Sequence, residues 1–142
     1  MGPKLYGPNT APDFEYTVDK KNAPENVKPF MTLFEGKWGG DGPEWKLVIT
    51  RIREGNATLI YSWSSYYLLR GGKMKEGTST VENAKFDVKK MEIIMPSDVT
   101  QYIMLKNDNG NIKIEGRVVI GTFVNYIIMR PVMPVIIEKQ AQ

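Results

Sequence analysis

From Phe34 onward, apolar and polar residues alternate in short segments, and turn residues separate the segments at about the 8 to 12 residue spacing of a sandwich or barrel. In 111–118, Ile112, Ile114, Gly116 and Val118 fall on one face while Lys113, Glu115 and Arg117 fall on the other. In 57–64, Ala57, Leu59, Tyr61 and Trp63 oppose Thr58, Ser62 and Ser64, and in 44–53 Trp45, Leu47 and Ile49 share a face. Such a period of two marks a strand buried on one side. The pattern predicts strands at 34–39, 44–53, 57–64, 74–81, 84–95, 99–106, 111–118 and 122–130. Gly55-Asn56, Gly71-Gly72 and Asn109-Gly110 tolerate the positive φ of hairpin turns, and Pro96-Ser97-Asp98 breaks a ladder. Since no window of eleven residues carries a sustained helical stripe, the domain reads as all-β, an eight-stranded antiparallel meander.

Three departures from the alternation carry information. Segment 84–95 places Phe86 and Val88 in phase but resumes at Met91, Ile93 and Met95, so Lys89-Lys90 marks either a β-bulge or a break between two short strands. Segments 99–106 and 122–130 are apolar on both faces, which predicts an outer cover as well as a core. That cover is the N-terminal arm, the segment Pro131 to Ile137 or another subunit; the apolar tail PVMPVII favours the last two and predicts a homodimer. Residues 1–33 hold Pro3, Pro8, Pro12, Pro24 and Pro29 and predict an extended arm, because proline fixes φ and lacks an amide donor. The chain thus divides into an arm (1–33), a β domain (34–130) and an apolar tail (131–142), with a short helical turn expected between Phe30 and Phe34.

Composition narrows the chemistry. The 142 residues include neither histidine nor cysteine, which excludes serine–histidine triads, thiol nucleophiles and Cys/His metal sites. The net charge of +3 is dispersed from Lys4 to Lys139, not gathered into the stripe that nucleic acid requires. No run approaches a membrane span, and no apolar stretch near the start resembles a signal peptide. The chain therefore fits the cytoplasm, or an extracytoplasmic site if it is a mature fragment. Neither a metal nor a cofactor is expected.

Phe34-Glu35-Gly36-Lys37-Trp38-Gly39 resembles the Gly-x-Trp first strand of lipocalin-like, or calycin, barrels. The wider pattern, with Gly40, Leu47-Val48-Ile49 and Asn56 to Trp63, is similar to small lipocalin-like domains of bacterial exported proteins. The resemblance runs over 34–130 and implies a closed eight-stranded barrel. It further implies that Gly36 and Trp38 close one end and that Arg130 stacks over the Trp38 ring.

A barrel of eight strands is filled by its own side chains or holds one small ligand. Candidate ligand-binding residues are Trp45, Tyr61, Trp63, Met91, Tyr102 and Phe123, with Tyr66 and Tyr67 in a portal loop spanning Ser64 to Arg70. Arg51 and Asn125 fall in phase with inward neighbours and would fix a ligand's polar group. The carboxylates Glu35, Asp41, Glu44 and Glu92 read as exposed hairpin charges; Asn107 to Asn111 lacks the ligand spacing of a calcium loop. Three functions remain: binding of a small apolar or amphipathic molecule, a cyclase or isomerase acting by positioning its substrate, and a non-catalytic interaction domain with a filled core. No catalytic residue is assigned.

Overall fold

Side-chain alternation and turn chemistry give ten strands in a computed structural model that describes residues 10–67, 72–96, 100–120 and 122–132. They are β1 (Phe34–Trp38), β2 (Glu44–Arg53), β3 (Asn56–Trp63), β4 (Tyr66–Tyr67), β5 (Lys73–Met74), β6 (Gly77–Asp87), β7 (Glu92–Met95), β8 (Thr100–Asp108), β9 (Asn111–Ile120) and β10 (Phe123–Pro131). Eight of them close an antiparallel barrel in the order β1-β10-β9-β8-β7-β6-β3-β2, and β4 and β5 form a small separate hairpin between β3 and β6. Closure runs from Phe34↔Pro131 to Trp38↔Ile127 on one side of β1 and from Phe34↔Leu47 to Lys37↔Glu44 on the other. The fold is the eight-stranded meander barrel that the alternation predicts.

The boundaries differ in one region. The polar stretch Glu82-Asn83 separates two expected strands, yet β6 runs through it as one strand whose register against β3 shifts between Ala57 and Leu59. An extra residue is absorbed there as a bulge. Lys89-Lys90 instead lies in a tight turn, where Asp87 Oδ1 accepts the amides of Lys89 and Lys90 and Met91 adopts φ 51°. The phase slip in 84–95 is therefore a break between β6 and β7.

Inward side chains fill the barrel's middle: Leu47, Ile49, Leu59, Ile93, Ile114, Ile127 and Met129 are fully or almost fully buried. The arm shapes the rest. Residues 11–13 cross the outer face of β2 and β3, where they bond Lys46 and Ser62, both buried. Asp19 then pairs with the edge of β2 beyond the point where β1 has ended, donating its amide to the Thr50 carbonyl at 2.8 Å. Ala23, Val27, Phe30 and Met31 join the core, and Phe30 stacks on Phe34 with centroids 6.3 Å apart. A 3-10 turn at Lys28–Phe30, slightly earlier than expected, holds these groups in place. The arm thus closes the end of the barrel at which β1 begins.

The described residues of the arm leave the outer face of β10 exposed. Val124, Tyr126 and Ile128 on the outer face of β10 are 39%, 52% and 39% exposed. The expected cover for that face is absent among the described residues, and the tail 133–142 lies outside them.

Candidate functional site: the aromatic end of the barrel

At the end away from Val27, Phe30 and Met31, inward positions of three neighbouring strands are aromatic. Trp45 and Trp63 are direct cross-strand partners, and Tyr61 pairs with Leu47 one step inward. Their rings form a ladder: Trp45 and Tyr61 stack at 4.8 Å and 24°, and Tyr61 and Trp63 follow at 5.6 Å. Trp38 from β1 meets Trp45 edge-on at 5.5 Å and 86°. Offset-stacked and T-shaped pairs at these distances are the favoured aromatic geometries. Trp38 is buried, whereas Trp45, Tyr61 and Trp63 are half-buried.

Two glycines and one hydrogen bond set the ladder. A Cβ on Gly77 would lie 2.7 Å from the Trp63 ring, so only glycine lets the indole lie across β6. The Trp63 Nε1 group donates to the Lys75 carbonyl at 2.8 Å, which fixes the ring's position along β6. A Cβ on Gly116 would approach Ile127 Cγ2 to 2.6 Å and the Trp38 ring to 3.9 Å. Behind the ladder the packing is tight. Between Trp38, Trp45, Ile103, Val118, Ile127 and Met129 there remains a gap of about 10 Å³, at most the room of one water.

The sequence-derived candidates therefore separate. Trp45, Tyr61 and Trp63 come together with Trp38, and Asn125 sits half-buried in phase with Ile127 and Met129 at the same end, its Oδ1 accepting the Tyr126 amide. Tyr66 is half-buried in the β4–β5 hairpin, where burial pushes its phenol above the ordinary tyrosine range. The side chains of Tyr67 and Phe123 and the loop residues 68–71 lie outside the described residues.

Four candidates lie elsewhere. Arg51 is exposed, because the β2–β3 register shifts between Ile49 and Arg51 and hands the inward position to Ile52. Met91 belongs to the arm-closed end, where its sulfur accepts from Asn26 Nδ2 at 3.5 Å. Tyr102 faces outward beneath the Arg117 guanidinium, 5.0 Å from its ring centroid. Arg130 faces outward opposite Glu35, three rungs from the Trp38↔Ile127 pair, so the two side chains occupy opposite faces of the ladder. Trp45, not Arg130, packs on Trp38. At Gly36 the missing side chain admits the Ile128 carbonyl of β10, which a Cβ would meet at 2.2 Å.

Residues without an evident sequence signal support the site from outside. Glu44 and Ser64 clasp the ends of β2 and β3: the Glu44 amide donates to Ser64 Oγ at 2.9 Å and the Ser64 amide to the Glu44 carbonyl at 3.0 Å. Glu44 Oε1 accepts the Ala11 amide at 2.7 Å, and Ser62 Oγ donates to the Pro12 carbonyl at 2.7 Å. In the sequence these look like ordinary outward polar residues; the arm's bonds to Glu44 and Ser62 give them their role. Among the described residues no cluster of three or more Asp and Glu could hold a metal, and no helix is long and apolar enough to cross a membrane.

What the site offers chemically is a stacking surface without an acid–base pair. Comparison with known proteins finds no matching family model, no similar curated protein and no similar solved structure, so the functional reading rests on this geometry.

Proposed function

We propose that the protein binds a small, flat, apolar or amphipathic molecule on the aromatic end of its barrel. The observation that carries this reading is the half-buried ladder Trp45–Tyr61–Trp63, at the end of the barrel away from the Val27, Phe30 and Met31 cluster. Aromatic faces accept planar ligands by stacking, and Asn125 at the same end supplies a polar group for the ligand's edge. The gap of about 10 Å³ behind the ladder leaves no room there for an enclosed substrate, which favours surface binding over a cyclase that folds its substrate inside the barrel. The lipocalin-like kinship belongs to the same proposal and is supported by the closed eight-stranded meander.

Tryptophan fluorescence of the purified protein, titrated with anilinonaphthalene sulfonate, tests it. Saturable quenching that is weakened by Tyr61→Ala and unaffected by Tyr102→Ala on the outer face supports the proposal. Quenching indifferent to Tyr61 overturns it.

The packed interior also favours a second reading, a non-catalytic domain whose surfaces engage other macromolecules. Saturable small-molecule binding at the ladder separates the two.

A further inference from the structure

The uncovered face of β10 is charge-patterned in a way that fits a second copy of itself. Glu115, Ile128 and Lys37 stand in one row across β9, β10 and β1. One row toward the arm-closed end, Arg130 pairs with Glu35, and Lys113 lies on the far side, two residues along β9 from Glu115. One row the other way, Tyr126 lies between Arg117 and Gly39, which donates its amide to the Tyr126 carbonyl. The strip thus has an apolar centre (Val124, Tyr126, Ile128) and flanks of unlike charge order.

We propose that this face is a homodimer interface whose two-fold axis runs along β10. Rotation about that axis keeps each row in place and lays β9 of one copy over β1 of the other. Glu115 then faces the partner's Lys37, and Lys113 faces the partner's Glu35, each pair occurring twice, as an isologous contact requires. Face-packed sheets lie about 10 Å apart, a gap that opposed Lys and Glu side chains span together. Ile128 and Tyr126 meet their own copies at the centre.

Two further features fit. Lys37 and Arg117 form no ion pair among the described residues, whereas Lys113 and Glu115 pair with each other at 3.6 Å and would exchange that contact for the two cross-copy pairs. In the dimer Arg117 lies over the partner's Gly39 and Gly40, where a groove of about 330 Å³ bordered by Lys37, Tyr126 and Ile128 is left by the missing side chains. Arg130 opposes the pairing, since it faces its own copy; the contact therefore centres toward Tyr126. A strip of three exposed apolar residues is small beside the roughly 800 Å² per partner of a standard interface, so a weak, reversible association is expected.

Sedimentation velocity of the full chain across a concentration series tests the proposal. A reversible monomer–dimer equilibrium is expected. Lys37→Glu and Glu115→Lys should each weaken it by about tenfold or more, a change of about 1.4 kcal/mol, and the double variant should recover it. Far-ultraviolet circular dichroism confirms that each variant is folded. A monomer at every concentration, or a dimer indifferent to Lys37→Glu, overturns the proposal. So does a dimer lost on removal of residues 133–142, which would assign the contact to the tail.

Discussion

Lys46 on the outer face of β2 donates to the Asp13 carboxylate at 2.7 Å and to the Ala11 carbonyl at 2.9 Å, and so ties the arm to the barrel through one buried ammonium. The Lys46 side chain is 9% exposed, whereas that of Asp13 is 95% exposed. The lysine therefore carries the desolvation, and its carbonyl contact is the better shielded of the two. Lys46→Met keeps the methylene stem and removes the charge, leaving the Ala11 carbonyl without its donor. Stability should fall by about 1–3 kcal/mol, and amide exchange at residues 11–19 should accelerate selectively. Unchanged exchange in the arm would show that the Ser62–Pro12 bond and apolar packing hold it without the lysine.

The same contact predicts a pH response. The hydrogen bond and charge of Lys46 hold the Asp13 carboxyl below the ordinary carboxylate range. A depressed folded value means that the contribution is complete above the ordinary carboxylate value and is lost as pH falls through the lowered one. Because Asp13 is exposed, water screens the effect and it stays small. A carboxyl-carbon NMR titration should give Asp13 a midpoint below the ordinary carboxylate value, and Lys46→Met should bring it back up. An Asp13 midpoint indifferent to Lys46 would rule the contact out in solution.

What the sequence discloses and what it conceals divide along physical lines. Strands with one buried face, such as β9 and β3, announce their inward residues, because period-two alternation is imposed by the core itself. Bulges are concealed. The register shift after Ile49 turns Arg51 outward and Ile52 inward, although both fit a strand pattern. The aromatic ladder is legible residue by residue, but its geometry depends on Gly77 and Gly116, which look like ordinary strand glycines until a ring is seen against them. Lys46 and Ser62 are concealed most fully. Their burial is imposed by a proline-rich arm distant in sequence, and no local pattern encodes which face that arm crosses.

Barrel closure depends on a close backbone approach at Gly36. Its virtual Cβ lies 2.2 Å from the Ile128 carbonyl oxygen and 3.0 Å from Met129 Cα, and backbone atoms on both strands leave no flexible group to yield. Gly36→Ala should force β1 from β10 and cost about 3 kcal/mol or more. Gly40→Ala provides the contrast. Nothing lies within 4 Å of its Cβ, but φ is +95°, so the cost is conformational alone, about 1 kcal/mol. Equal losses in chemical denaturation would mean that the β1–β10 contact is looser than described.

Gly77 connects barrel geometry to the proposed ligand surface. A methyl group there would stand 2.7 Å from Trp63 Cζ2, and the indole cannot slide along β6 while its Nε1 is bonded to the Lys75 carbonyl. Gly77→Ala should therefore tilt Trp63 away from Tyr61 and break the outermost step of the ladder. The strain is borne by a half-buried ring at the barrel's end, so stability should fall by only about 1–2 kcal/mol. Near-ultraviolet circular dichroism, which senses coupling between neighbouring aromatic rings, should change while the far-ultraviolet spectrum stays the same. Binding of anilinonaphthalene sulfonate should weaken in parallel if the ladder is the site. A variant with an altered aromatic spectrum and undiminished binding would leave the ladder's packing intact as a structural finding and remove its outer step from the ligand surface.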